Sequence, residues 1–311
     1  MDAEKTTTWT DFLRRSGFRP TVVLGSGMEG TVVDVGDDLV AKIWRRRTAR
    51  ELEALKTFYD AVAAAGPGLR TPRIHQVLRL DDQLATVETR LHGSPLTGPA
   101  DRGLVLGDAA VSVITDVLAA LAALPPQPGM GVLPVLEGEA PFDAEATPFA
   151  ASLAGLVERR VKEFHQPLSA RLAQLDAVAS AVVDRLGELS AERLSLVHGD
   201  LIPANILVDG TARPQAVLDF GFLTTLGDPA FDAAVTASIF DMYGPHAAES
   251  EAVLDEAVAD RFGYAPRRLA VYRAAYALVT SNCFSASGSD GHFEWCARML
   301  ERPQVLEALE P

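Results

Sequence analysis

Cysteine is nearly absent from this chain: Cys283 and Cys296 are the only two in 311 residues, 13 apart in a stretch of helical composition. No His or Cys cluster with zinc-ligand spacing surrounds them, which leaves two reduced thiols in a cytoplasmic protein as the expectation. Long apolar runs are missing too. Every apolar stretch is broken by charge, Gly or Pro well short of the roughly 20 residues a membrane helix needs. The polar segment from Met1 to Pro20 has no signal-peptide core. There is no internal repeat and no low-complexity tract. Lysine is scarce, at Lys5, Lys42, Lys56 and Lys162 only, against 24 Arg. A chain that uses Arg almost everywhere yet keeps Lys at 42 points to a compact ammonium there rather than a planar fork. Positive charge is in deficit overall, with a formal net charge of −14. That balance disfavours nucleic acid and anionic membrane as partners and suits a cationic small molecule.

What remains is an ordinary globular composition, 48% hydrophobic and 23% charged, on a chain long enough for two packed cores. Thr21–Leu24, Gly30–Val35 and Leu39–Trp44 read as strands, with Gly36-Asp37-Asp38 as a turn. Thr48 can cap a helix running to about Ala65, with Leu52, Leu55, Phe58, Tyr59 and Val62 on one face and Gly66-Pro67-Gly68 as its stop. Strands near Ile74–Leu80 and Leu84–Leu91 follow. From about residue 100 the period turns helical. Val111, Ile114, Val117, Leu118, Leu121 and Leu124 mark one helix, Pro125–Pro148 reads as a loop, and Leu172 to Leu189 marks one long amphipathic helix. Short apolar runs at Leu194–Val197 and Ala216–Leu218 flank the most polar motif, and helices dominate from about Pro229. A β-rich first lobe (1–95) followed by a helical second lobe (96–311) makes an α+β fold.

Three motifs carry chemistry. Gly25-Ser26-Gly27-Met28-Glu29-Gly30-Thr31-Val32 fits G-x-G-x-x-G-x-V, where Gly25, Gly27 and Gly30 let backbone amides approach phosphates. A strand rather than a helix follows, so the dinucleotide-binding version of this pattern loses its context. Lys42, on the strand after the hairpin and before a helix with Glu51 and Glu53, fits a lysine on nucleotide phosphates held by a helix carboxylate. Glu51 is the expected partner and Glu53 the alternative. Third, His198-Gly199-Asp200-Leu201-Ile202-Pro203-Ala204-Asn205 follows an apolar strand, and Asp219-Phe220-Gly221 comes 14 residues after Asn205. An Asp can accept a hydroxyl proton, while an Asn and a second Asp can hold Mg²⁺ against phosphate oxygens. Phosphoryl transfer asks little more of a protein than positioning and charge neutralisation.

The stretches HGDLIPANILVDG (198–210), AVLDFGF (216–222) and GDPAFD (227–232) make the chain resemble the aminoglycoside phosphotransferase family, small-molecule kinases with a protein-kinase-like two-lobed fold. The resemblance runs from the glycine hairpin onward. It implies Asp200 as catalytic base, Asn205 and Asp219 as Mg²⁺ ligands, Lys42 on the phosphates of ATP or GTP, His198 bracing the catalytic loop and Asp232 supporting the second lobe from a helix start. It also implies a hinge over Thr86–Pro95 whose backbone at Glu88 and Arg90 binds the purine edge, with Val87 behind it and His92 facing solvent.

Protein-kinase features are missing. Gly199 stands where those enzymes place Arg, no Ala-Pro-Glu follows Gly221, and only 13 residues separate Asp219 from Asp232. The implied acceptor is therefore a small molecule. An antibiotic (aminoglycoside, macrolide or cationic peptide) comes first and a metabolite such as an amino alcohol or sugar second. A regulator that binds nucleotide without turnover comes third, disfavoured by the presence of Lys42, Asp200, Asn205 and Asp219. Asp228, Asp241, Glu249, Asp290 and Glu294 are the carboxylates a cationic acceptor would meet. Phe222, Phe231, Phe240, Met242, Tyr243, Phe284 and Trp295 are the candidates for an apolar trough.

Overall fold

The computed structural model describes residues 3–311 except 28, 67, 97–105 and 192. Its first lobe is a five-stranded antiparallel sheet in the order β1-β2-β3-β5-β4, formed by β1 (Val23–Ser26), β2 (Gly30–Gly36), β3 (Leu39–Trp44), β4 (Ile74–Leu80) and β5 (Gln83–Thr89). β2 and β3 are joined by a two-residue hairpin in which Asp37 and Asp38 both have φ near +55°. That is the turn whose twist matches the flanking strands, and Asp tolerates its left-handed backbone.

Strand alternation sorts the sheet into two faces. Val33, Val35, Ala41, Ile43, Ala85 and Val87 are buried on one face with Trp9 and Leu13 of helix α1 (Ala3–Arg15). Sequence reading left α1 out. Its signal was Trp9, Phe12 and Leu13 at helical spacing in an otherwise polar segment. The opposite face carries Lys42 and Trp44 of β3, with Thr86 of β5 the cross-strand partner of Lys42.

Helix α2 (Ala49–Ala64) lies between β3 and β4 in sequence and buries Leu52, Leu55, Phe58, Tyr59 and Val62, the face expected of it. Thr48 caps it as expected. Its side chain accepts from the Glu51 amide, and the Glu51 carboxylate accepts from the Thr48 amide at 2.7 Å, a complete capping box. Pro67 of the expected stop lies outside the described residues. Phe58 and Tyr59 meet Phe220 of the second lobe at ring centroids of 5.3 and 6.1 Å, so one apolar core runs from α2 through the helical lobe.

In the second lobe, β6 (Ser94–Pro95), β8 (Ile206–Val208) and β9 (Pro214–Val217) form one small sheet, and β7 (Ser195–Val197) pairs with β10 (Thr225–Gly227). The helices are α3 (Asp108–Ala123), α4 (Phe149–Glu163), α5 (His165–Arg171), α6 (Leu175–Glu188), α7 (Pro229–Ile239), α8 (Ala247–Phe262), α9 (Pro266–Thr280), α10 (Gly291–Leu300) and α11 (Pro303–Leu309). α9 is buried from Leu269 to Thr280 and packs on α4, α6, α7, α10 and α11.

Two expectations need correction. The long helix expected from Leu172 starts at Leu175 instead, because Leu172 is extended (φ −115°, ψ 104°) and closes the preceding helix α5. α4 was missed, although Phe149, Leu153, Leu156, Val157 and Val161 mark one buried face just past the Pro/Gly-rich loop.

The capping box gives a test with a defined pH sign. Burial works against the Glu51 carboxylate, but its bonds to Thr48 and the nearby Arg47 outweigh that and depress its pKa. A depressed carboxylate stabilises above its unfolded pKa, and the contribution is lost as pH falls through the folded value. Thr48→Ala and Glu51→Gln should each cost about 1 kcal/mol in urea unfolding at pH 7. The gap between wild type and Glu51→Gln should close when the titration is repeated below the carboxylate range.

Candidate active site

The glycine hairpin joins β1 to β2. At Gly30 a Cβ would stand 2.2 Å from the Ile43 carbonyl oxygen, so the approach of β2 to β3 admits only glycine. At Gly25 and Gly27 a Cβ would meet nothing within 4 Å, leaving open space over the hairpin. Met28 of the motif lies outside the described residues. Glu29, at the tip, accepts from Lys42 Nζ at 2.7 Å and from Arg47 Nη2 at 2.8 Å. Lys42 Nζ also donates to Asp219 Oδ1 at 2.9 Å and stands 4.0 Å from the Trp44 ring centroid. Burial disfavours the ammonium, yet Asp219, Glu29 and Glu88 outweigh it and raise the Lys42 pKa, so the charge is kept.

The partner expected for Lys42 is corrected here. Glu51 does not reach Lys42, because its carboxylate closes the cap of α2, and Glu53 is exposed. The residue that α2 turns toward this cluster is the buried Tyr59. Burial and then the fields of Glu88, Asp219 and Glu29 push its hydroxyl well above the usual tyrosine range. Glu29, which sequence reading passed over inside the glycine motif, takes the helix carboxylate's place.

The hinge expectation also changes. Glu88 lies inside β5, paired with Val40 on one side and Ile74 on the other, so its backbone belongs to the sheet. Its buried side chain accepts from Thr86 Oγ1, which accepts from Trp44 Nε1 at 3.0 Å. Burial raises its pKa against the pull of Lys42. The Arg90 amide donates to the Asp38 carbonyl at 2.7 Å and its guanidinium pairs with Asp34, so neither Glu88 nor Arg90 presents a free backbone donor to a purine. His92 faces solvent beside Asp38.

The catalytic-loop motif follows β7. His198 is fully buried. Its Nε2 lies 2.8 Å from the Leu218 carbonyl and its Nδ1 accepts from the Asp200 amide at 3.2 Å, a pattern that puts the ring proton on Nε2. Asp232, in the first turn of α7, accepts from the His198 amide at 2.8 Å and the Gly199 amide at 2.9 Å, one oxygen each. Thr224 Oγ1 donates to the His198 carbonyl at 2.7 Å and accepts from the Gly221 amide at 2.8 Å, which ties the two motifs together. Gly199 has φ +84°, and a Cβ there would lie 2.4 Å from the Phe222 carbonyl oxygen. Asn205 Nδ2 donates to the Asp200 carbonyl at 2.9 Å, which leaves Oδ1 as its free acceptor. Asp219 itself sits at φ +62° and Leu223 at +56°, left-handed conformations that non-glycine residues hold only where their surroundings impose them.

These contacts set opposite charge preferences. Burial raises the Asp200 pKa, and the neighbouring carboxylates of Asp219, Glu29 and Asp232 push the same way. Burial also opposes ionisation of Asp219, but the Lys42 ammonium outweighs it and lowers that pKa. Among the described residues no three His, Cys, Asp or Glu form a metal cage. Asn205 and Asp219 offer one amide oxygen and one carboxylate, a donor set that fits a hard divalent cation completed by phosphate oxygens and water.

The acceptor candidates separate by burial. Asp228 caps α7 and is buried against Arg268 and Tyr272, so it serves the fold. Glu294 is tied to Arg171 at 2.9 Å and Glu249 lies beside His246. Asp241 is buried, and Phe231, Phe240 and Trp295 are core. Tyr243, Phe284 and Asp290 line a cavity of about 350 Å³ with Gly291 and His292, and Asp290 also caps α10, accepting from the Phe293 amide at 2.8 Å. His292, absent from the sequence-derived candidates, lies 3.3 Å from the Tyr243 hydroxyl and stacks on Trp295. Cys283 and Cys296 are both free thiols.

The Asp232 clamp is directly testable. Asp232→Asn turns an amide NH₂ toward a backbone N–H and leaves a buried donor unpaired, at about 1–3 kcal/mol in urea unfolding. Gly199→Ala should cost more than Asp232→Asn, since it combines a backbone clash with an unfavourable φ. Equal stability of Gly199→Ala and wild type would remove the constraint described here.

No curated protein sequence matches the chain. Solved structures do. A point mutant of aminoglycoside 2'-phosphotransferase-IIIa, in complex with GDP, matches with TM-score 0.62 at 17% identity, covering 98% of this chain and 96% of that one. Macrolide 2'-phosphotransferase MphH from Brachybacterium faecium matches at 0.57 and 20%, covering 95% and 98%. APH(3'')-Id from Streptomyces rimosus, in complex with ADP and streptomycin, matches at 0.55 and 20%, covering 88% and 98%. At these identities the likeness establishes the kinase-like fold. The family model described as "Phosphotransferase enzyme family" matches residues 21–272, from the strand before the glycine hairpin into α9. With that span enclosing Lys42, Asp200, Asn205 and Asp219, the chain belongs to the phosphotransferase enzyme family.

Proposed function

We propose that this protein transfers the γ-phosphoryl group of ATP or GTP to a hydroxyl of a small molecule, with Mg²⁺ as cofactor. The observation that carries this is the convergence of Lys42, Asp219, Asn205 and Asp200 from three separate segments, with the Asp200 loop clamped by Asp232. Solved structural relatives hold ADP or GDP, which supports nucleotide as the donor.

In this mechanism the glycine hairpin at Gly25, Gly27 and Gly30 covers the phosphates and Lys42 neutralises them. A bound Mg²⁺ would supply charge neutralisation between Asn205 and Asp219. Asp200, held by its own amide and carbonyl, positions the acceptor hydroxyl and takes its proton as the oxygen bonds to phosphorus. The bond from phosphorus to the bridging oxygen breaks, and the nucleoside diphosphate leaves with that oxygen. The raised pKa of Asp200 makes it a better proton acceptor than a solvated carboxylate.

The acceptor is proposed to enter from the side of Tyr243, Phe284 and Asp290, where aromatic faces and one carboxylate suit a molecule with an apolar body and a cationic group. Among the described residues no helix is long and apolar enough to cross a membrane. We place the enzyme in the cytoplasm, where nucleoside triphosphate is supplied and free thiols persist.

The deciding assay is ADP and GDP release with Mg²⁺ against aminoglycosides, macrolides, cationic peptides, amino alcohols and sugars. Asp200→Ala should lower acceptor-dependent turnover by roughly 10²–10⁴-fold while keeping nucleotide affinity. Asp219→Ala should weaken binding of the Mg²⁺-nucleotide itself. Undiminished turnover in Asp200→Ala would overturn the assignment of the base.

A further inference from the structure

Lys42 and Arg47 close on a single carboxylate. One oxygen of Glu29 accepts from Lys42 Nζ at 2.7 Å and the other from Arg47 Nη2 at 2.8 Å. The group sits between the tip of the glycine hairpin and the Asp219-Phe220-Gly221 turn. Lys42 reaches Asp219 at 2.9 Å, and Arg47 Nη2 lies 3.8 Å from where a Cβ on Gly221 would stand. Arg47 is steadied from α2, its Nη1 3.6 Å from Glu51, and its guanidinium lies 5.5 Å from the ring of Trp44, over which Lys42 also stands. An ammonium and a guanidinium held in place around two oxygens of one anion is the arrangement that two oxygens of a phosphate group would also satisfy.

We propose that Arg47 is a second phosphate-binding cation of the nucleotide site, and that Glu29 fills the phosphate's place as an internal anion that leaves when a nucleoside diphosphate or triphosphate binds. This rests on the phosphotransferase function proposed above. Charge balance supports the exchange. Lys42 and Arg47 are already bonded to or flanked by Glu29, Asp219, Glu51 and Glu88. A polyanion arriving with Glu29 in place would set phosphate oxygens beside a carboxylate on the same donor atoms, and like charges at that separation repel. Glu29 can move. Its side chain is 38% exposed and it sits on a hairpin tip where Gly27 has open space around it. Arg47 need not move, because Glu51 holds its other nitrogen.

The test measures Kd by calorimetry for adenosine, ADP, guanosine and GDP, each with and without Mg²⁺, on wild type, Glu29→Gln, Arg47→Gln and Arg47→Lys. The nucleoside bears no phosphate, so an unchanged nucleoside Kd shows that each variant is folded with its base site intact. Glu29→Gln should bind the diphosphate roughly tenfold more tightly, and Arg47→Gln roughly tenfold more weakly, with Arg47→Lys between Arg47→Gln and wild type. Unchanged or weaker diphosphate binding in Glu29→Gln overturns the internal anion. Unchanged binding in both Arg47 variants overturns the second cation. Wild type that binds neither ADP nor GDP overturns the nucleotide function itself, whereas wild-type affinity in every variant overturns this inference alone.

Discussion

The ion pair between Lys42 and Asp219 joins groups 177 residues apart and links the sheet of the first lobe to the second. Everything else in the site is arranged so that these two side chains arrive together. Strand alternation in β3 turns Lys42 away from the α1 face and toward the cleft, with Trp44 two residues on supplying a ring beneath the ammonium. On the other side, Asp219 reaches Lys42 only because its backbone sits in the left-handed region. That conformation is held from both flanks, by the His198 ring at the Leu218 carbonyl and by Thr224 at the Gly221 amide. Phe220, between them, packs its ring 4.5 Å from His198 and 5.3 Å from Phe58 of α2. The same tripeptide therefore places a charge in the cleft and an apolar anchor between the lobes.

Asp232 shows how a buried charge can serve geometry rather than chemistry. It is 2% exposed, and burial pushes its pKa up. What offsets that cost is a pair of backbone N–H donors, from His198 and Gly199, that would otherwise be unpaired inside the protein. The carboxylate thereby holds the peptide units just before Asp200, while Asn205 holds the carbonyl just after it. Asp200 is thus fixed by its backbone on both sides, through its amide and its carbonyl.

Much of this was legible in the chain because the chemistry sits in short local motifs. The hairpin strands, α2 with its Thr48 cap and the polar loop between Leu194–Val197 and Ala216–Leu218 each rest on local pattern, and local pattern was enough. What was missed depends on partners distant in sequence. Glu51 and Glu29 are both acids near Lys42 in the chain, and nothing local says that one is consumed by a helix cap while the other bridges Lys42 and Arg47. The hinge register failed for the same reason: Arg90 is engaged by Asp34 and Asp38, more than 50 residues earlier, across the mouth of a hairpin. α1 and α4 were passed over because each follows or forms a segment whose composition reads as loop, and only docking on a neighbour makes their apolar faces count.

The short span from Asp219 to Asp232 bears on which acceptors the cleft can admit. In those residues the chain completes the turn through Gly221 and Thr224, pairs β10 with β7, caps α7 with Asp228 and begins the helix that carries Asp232. Every residue from Thr225 to Gly227 is a strand partner of β7, and Gly227 is packed so closely that a Cβ there would lie 2.6 Å from the Phe149 ring. No slack remains for an excursion that could order a peptide beside Asp200. The cavity of the helical lobe is lined from later in the chain, by Tyr243 after α7 and by Phe284, Asp290 and His292 around the start of α10. Tyr243 and Phe284 are also the two most exposed aromatic side chains of the second lobe, at 67% and 56%. Because α7 and α10 both pack on the buried helix α9, these rings can differ in size and chemistry without disturbing the Lys42–Asp219 bridge. The cavity at Tyr243, Phe284 and His292 is thus built from segments separate from those that carry Lys42, Asp219 and Asn205.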